Sequence, residues 1–225
     1  MLLLVVDTSG RQGSIALARA VGGTGDIALI ESVLLAGGMF SAELVPQIAA
    51  LLDKHGFRKT DLDGFIVASG PGSFTGLRVG LAAIKALAEV LQKPIVPVSL
   101  LEVVALASGA RGRVVAALDA GRGDVYAGEY EVTADGAQCV REQLLSKDEF
   151  LLVARAGAVS TPNETWGEVA RGAGLNVSPV ASPSSEAIAQ LGWTKLQDGQ
   201  TVSPEQLEAN YIRRTDAEIR TKPSA

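Results

Sequence analysis

Apolar and polar positions fall into blocks that read as strands at the start of the chain and as alternating helices and strands after it. Residues 2–6 form a short continuous apolar run, the pattern of a strand buried on both faces. Thr8, Ser9 and Gly10 supply a turn, and 13–20 returns as a second strand. Gly22, Gly23 and Gly25 mark another turn before a third apolar run at 27–35, so the chain opens as a meander. A helix is expected over 41–54, with Pro46 in or near its first turn, since deeper it would kink the helix. A strand over 64–69, a long helix over 75–91 stopped by Pro94, a strand over 95–98 and a helix over 100–108 follow.

The second half begins as the first does. An apolar run at 113–118 ends in Asp119, then come Gly121 and Arg122 and a returning strand at 125–132; the first half has 2–6, Asp7, Gly10 and Arg11, and 13–20. Asp7 and Asp119 lie 112 residues apart, half the chain. Strand, acidic turn, strand is a common local pattern, so it fits duplication and coincidence alike. Under duplication the fold is two like lobes, 1–110 and 111–225, each a mixed sheet with flanking helices. Beyond 151 the composition shifts to Ala, Gly, Ser and Pro, with one helix expected over 185–196 and a polar tail from Ser203. Disorder is expected from Thr221.

Composition narrows the function. With 225 residues and 47% hydrophobic content, a large core is assured. A net charge of −5 repels phosphate backbones, so any RNA must be gripped by something else. Cys139 is the single cysteine, which excludes an internal disulfide and fits a reducing, cytoplasmic setting. The apolar start is shorter than the roughly 7 to 15 residues of a signal-peptide core. The stretch 76–91 carries Arg78, Lys85 and Glu89, which argues against a membrane span.

The sharpest element is Gly70-Pro71-Gly72-Ser73-Phe74-Thr75-Gly76-Leu77-Arg78-Val79-Gly80, between an expected strand and an expected helix. Such a loop can present Gly72 and Ser73 amides to a phosphate at a helix N-terminus. It can equally be a tight turn with Ser73 or Thr75 as N-cap. It is not a Walker loop, because Leu77-Arg78 stand where Lys and Ser or Thr are required. Asp7, Thr8 and Ser9 have the same two readings: a contact to nucleotide phosphate and metal, or an Asx turn. Asp119 shares the ambiguity.

On the long helix, Arg78, Lys85, Glu89 and Gln92 share a stripe roughly 60° wide, and nearly everything else is apolar. Leu77, Leu81, Ile84, Leu87 and Leu91 can face the sheet, while Gly76, Gly80 and Ala83 form a small-residue track open to another helix. The preceding helix groups Leu44, Ile48, Leu51 and Leu52, with Val45 and Ala49 beside them. His55 is the single histidine and lies at a helix end, where a cation is favoured. Paired-histidine metal sites and a nucleophile elbow are both missing, so catalysis and a metal peptidase are poorly supported.

With these residues in hand, the chain resembles the TsaB family. The resemblance runs through Val5 to Ser9, Ser41 to Pro46, Gly70 to Gly80 and Leu118 to Tyr126, and faintly through Tyr211-Ile212-Arg213. It implies an α/β, actin-like and ribonuclease H-like two-lobed fold of the sugar-kinase type. It further implies a non-catalytic, cytoplasmic subunit for threonylcarbamoyladenosine synthesis in tRNAs reading ANN codons. The implied partners are a TsaD-like catalytic subunit and a TsaE-like ATPase, with a homodimer through the same surface, tRNA met only indirectly, no membrane and no intrinsic cofactor, though ATP or ADP can sit at the partner interface. The two first-lobe helices then make the interface, through Ser41, Leu44, Val45, Ile48, Gly76, Gly80, Ala83 and Leu87. Phe40 stands where the family often has histidine, and an apolar residue there could tighten the helix-to-helix contact. The alternative is a small actin-like ATPase or phosphotransferase using Asp7 and Asp119.

Overall fold

The computed structural model describes residues 1–20 and 26–212. The turn glycines Gly22, Gly23 and Gly25, Arg213 and the expected disorder from Thr221 lie outside the described residues. In chain order the elements are β1 (Leu2–Asp7), β2 (Gly13–Ala20), β3 (Ile27–Leu35), α1 (Phe40–Lys54), β4 (Gly64–Gly70), α2 (Phe74–Leu91), β5 (Ile95–Ser99) and α3 (Leu100–Ala107). There follow β6 (Gly112–Gly121), β7 (Asp124–Val132), β8 (Ala137–Leu145), α4 (Lys147–Val153), β9 (Ala158–Thr161), α5 (Glu164–Gly172), β10 (Val177–Pro179) and α6 (Ser185–Gln197).

The strands form two five-stranded sheets. The first has the order β3-β2-β1-β4-β5, with β2 antiparallel to β1 and β3, and β1, β4 and β5 mutually parallel. The second, taken from β8, has the order β8-β7-β6-β9-β10, with the same pattern of directions. This is the actin-like, ribonuclease H-like strand order, present twice. The likeness of the two hairpins therefore extends through all five strands of each sheet.

Two compact units result, Met1–Val103 with Pro183–Asn210, and Val104–Ser182 with Tyr211 and Ile212. The division at 110 needs correcting on one point: α6 and the segment after it return to the first sheet. Gly192 lets α6 lie flush on Ile66 of β4, Lys195 meets Glu102 at 2.9 Å, and Leu207 is fully buried in the first core. Val202 bridges Ile95 at the β5 edge, and the Asn210 N–H donates to the Ser69 carbonyl at 2.8 Å.

In the first unit, Leu2, Leu4, Val6, Phe65 and Val67 point to α1 and α2, where Leu44, Ile48, Leu77, Leu81 and Ile84 meet them. Ile66, of opposite parity, faces α6. Pro46 lies in the second turn of α1 rather than the first, and the helix continues through it. The missing amide leaves the Ala42 carbonyl without its helical donor, and both residues are exposed, so water can take that place. In the second unit Phe150 and Trp166 meet edge to face at 5.4 Å beneath β6 and β7.

Candidate functional site

The β1–β2 turn, the β4–α2 loop and the first two turns of α2 interlock. One carboxylate oxygen of Asp7 accepts the Ser9 N–H at 2.8 Å, which is an Asx turn. Thr8 Oγ1 donates to the Gly76 carbonyl at 2.7 Å, and the Ser73 N–H donates to the Ser9 carbonyl at 2.7 Å. Ser73 is the N-cap, its hydroxyl accepting the Gly76 N–H at 3.3 Å. A helix N-terminus favours negative charge, and here the carbonyl oxygen of Ser9 supplies it. The glycines make this approach feasible: a Cβ on Gly76 would overlap the Thr8 carbonyl oxygen, one on Gly80 would overlap Thr8 Oγ1, and one on Gly72 would lie 2.5 Å from the Ser9 carbonyl oxygen. Burial pushes the Asp7 carboxyl above its usual range, against the opposing hydrogen bonds from Ser9.

The equivalent place in the second unit is built differently. The β6–β7 turn is two residues, Arg122 and Gly123, both with positive φ. Asp119 is exposed; its N–H donates to Asn163 Oδ1 at 2.9 Å and its carboxylate accepts the indole N–H of Trp166 at 3.1 Å. Asp7 and Asp119 thus each have partners on their own unit. Among the described residues no group of three or more His, Cys, Asp or Glu is placed to hold a metal ion. His55 does end α1, with Nε2 2.8 Å from Glu31, whose other oxygen meets Lys54 at 2.6 Å. The hydrogen bonds from Lys54 and His55 hold the Glu31 carboxyl below its usual range.

The surfaces of α1 and α2 correct part of the expected interface. Leu44 and Ile48 point into the core, and Gly76 and Gly80 are covered by Thr8, so the small-residue track is filled by the chain's own hairpin. Phe40 is also buried, its ring against Gly13 and Gly76, and does not reach outward. Ser41 and Val45 are exposed, Val45 at 59%, and Ala83 and Leu87 are half-buried. The outward apolar residues are Ala42, Val45, Pro46, Ala49 and Ala50 on α1, and Ala82, Ala86 and Val90, 73% exposed, on α2; Gln47, Asp53 and Lys54 on α1 and Thr75, Arg78 and Glu89 on α2 are exposed as well. The apolar ones form small-residue strips on two helices that pack on each other, and on α2 the strip runs beside exposed Arg78 and Glu89. The sequence held the signal, since Ala82, Ala86 and Val90 project opposite Leu77, Leu81 and Ile84 at 100° per residue.

With this fold and surface in place, a family model described as TsaD, tRNA N6-adenosine threonylcarbamoyltransferase, matches residues 35–185, more than half the chain. A tRNA threonylcarbamoyladenosine biosynthesis protein TsaB from Escherichia coli (strain K12) is 29% identical over 182 residues, covering 76% of this chain and 79% of that protein. The chain belongs to the TsaB branch of the TsaD family. A TsaB from Bacillus subtilis (strain 168) is 37% identical over 133 residues, 58% of this chain and 56% of its own length. The solved structure of YeaZ from Pseudomonas aeruginosa superposes with a TM-score of 0.70 at 26% identity, covering 93% of this chain and all of that one. The matched region contains α1 and α2 whole, so the exposed helix surface falls inside the family's shared part. Among the described residues no helix is long and apolar enough to cross a membrane.

Proposed function

We propose that this chain takes part in threonylcarbamoyladenosine biosynthesis in tRNA as a non-catalytic subunit that docks and activates a TsaD-like catalytic subunit. The observation that carries this is the pair of exposed apolar strips on α1 and α2, with Val45 59% and Val90 73% exposed, the kind of surface that serves for association. The internal pairing of Asp7, Thr8, Ser9 and Ser73 supports a non-catalytic role, because the groups that would meet a nucleotide are engaged by neighbours. A stable complex covers about 800 Å² on each partner, roughly 20 to 30 residues, which two helices and their loops can supply. A TsaE-like ATPase completes the assembly, with ATP or ADP at the partner interface, and a second copy of this chain occupies the same helices when the catalytic subunit is missing.

The test is tRNA modification by the reconstituted system with and without this chain, and with Val45→Asp or Ala86→Asp. Modification that needs the wild type and is lost with either variant, while both variants melt like the wild type, is the expected result. Full modification without the chain would overturn the proposal. Gly80→Leu is unsuitable as a surface probe, since its side chain would collide with Thr8 inside the lobe.

A further inference from the structure

The starts of both docking helices meet the β1–β2 hairpin at one buried point. Phe40, the first residue of α1, has its ring so close to β2 and α2 that a Cβ on Gly13 would lie 2.8 Å from it and one on Gly76 would lie 3.4 Å from it. Thr8, 2% exposed, meets the same Gly76 through its hydroxyl, which donates to the carbonyl at 2.7 Å, and its Oγ1 also fills the space that a side chain on Gly80 would need. Gly76 is therefore where α1, α2 and the hairpin come together. Both apolar strips begin just beyond this junction, with Ala42 and Val45 on α1 and Ala82 on α2.

We propose that the junction of Thr8, Phe40 and Gly76 sets the placement of α1 against α2, and that Thr8 is a positioning residue for docking of the TsaD-like partner. This rests on the reading that these two helices dock that partner. A hydroxyl stands 2.7 Å from the Gly76 carbonyl oxygen because it donates to it, whereas a methyl group in that place needs about 3.3 Å or more. Thr8→Val therefore pushes the first turn of α2 outward by roughly half an ångström, while Phe40 keeps α1 on β2. The helix carries that shift along its length to Ala82, Ala86 and Val90. Small residues make a surface that works by close approach, and a gap of about 0.5–1 Å forfeits a quarter to a half of each contact. Displacing one strip against the other costs affinity although no exposed residue has changed.

The experiment is calorimetric titration of the full chain into the cognate TsaD-like subunit, without tRNA and well below every melting temperature. The variants are Thr8→Val, Thr8→Ser, Phe40→Leu, Trp166→Phe and Val45→Asp. The expected result is binding about tenfold weaker for Thr8→Val, and within about twofold of wild type for Thr8→Ser, which keeps the hydroxyl. Trp166→Phe removes one hydrogen bond from the other lobe and should bind as the wild type does, so it separates placement of α2 from loss of stability in general. Phe40→Leu loosens the same junction from the α1 side and should bind about threefold weaker; it carries the test if Thr8→Val does not fold. Wild-type affinity for Thr8→Val, or for Phe40→Leu in its place, while Val45→Asp abolishes binding would overturn the positioning role and leave the docking surface standing. Equal weakening by Thr8→Val and Trp166→Phe would overturn it too. If wild type does not bind, both readings fall.

Discussion

The two lobes share a strand order but join their first hairpin to the following helix by different means. In the first, a turn from Thr8 to Gln12 is tucked under α2, and three glycines leave room for its backbone. In the second, the turn is two residues, and contact with α5 is made by side chains, Trp166 to Asp119 and Asn163 to the Asp119 amide. Backbone interlock is rigid and intolerant of added atoms, while side-chain contact can adjust. The lobe whose helix carries the exposed apolar strip is the one with the rigid join, which suits the docking role proposed for that helix.

The largest expected effect separates the lobes by a single methyl group. Gly76→Ala places Cβ on the Thr8 carbonyl and should cost about 3 kcal/mol or more in urea unfolding, because neither backbone can yield. Gly167→Ala in α5 meets the end of the Arg171 side chain at 3.0 Å and Thr161 Cγ2 at an ordinary 3.7 Å, and the gain in helix propensity, up to about 1 kcal/mol, offsets the closer contact. Equal losses at both sites would erase the contrast.

Next comes a feature of the second lobe alone. Glu129, 4% exposed, accepts from Arg141 at 2.6 Å and Arg113 at 2.8 Å. Burial raises its carboxyl, but the two arginines outweigh burial and hold it below the usual range. Its contribution is therefore present above the ordinary glutamate range and lost as pH falls through the lower folded value. Glu129→Gln should cost about 1–2 kcal/mol at neutral pH, discounted for the half-exposed arginines, and should remove that part of the acid loss. Hydrogen exchange followed lobe by lobe in acid checks the placement.

Removing one hydrogen bond from each join is a finer probe. Thr8→Val and Trp166→Phe should each cost about 1 kcal/mol, with raised amide exchange confined to the altered lobe. The smallest effect is at Asp7. Its folded carboxyl is raised, so its charging opposes folding, and that cost grows as pH rises from the ordinary aspartate range through the folded value. Asp7→Asn can still accept the Ser9 N–H and should be neutral or stabilising by up to about 1 kcal/mol at neutral pH. A loss of stability would mean the ionised carboxylate has a role that the Asx turn does not express.

The sequence by itself determined the elements with strong periodicity. The runs at 2–6, 13–20 and 27–35, the helices around α1 and α2, and the repeat at 113–132 are legible because burial on one face or two leaves a regular apolar pattern. It also limited the chemistry, since one histidine and one cysteine cannot supply the paired histidines of His-Glu-x-x-His-type zinc sites. Other elements were not legible. β9 and β10 have four and three residues, β8 alternates weakly around Arg141 and Glu142, and α4 and α5 are too short for periodicity to show. Only the tertiary structure returned 183–210 to the first sheet, because α6 needs a flat surface for Gly192 and the first sheet offers Ile66. Only the tertiary structure decided what Gly76 and Gly80 are for. A glycine announces that something comes close, and the sequence cannot say whether it is a phosphate, a partner helix or, as here, Thr8 of the same lobe.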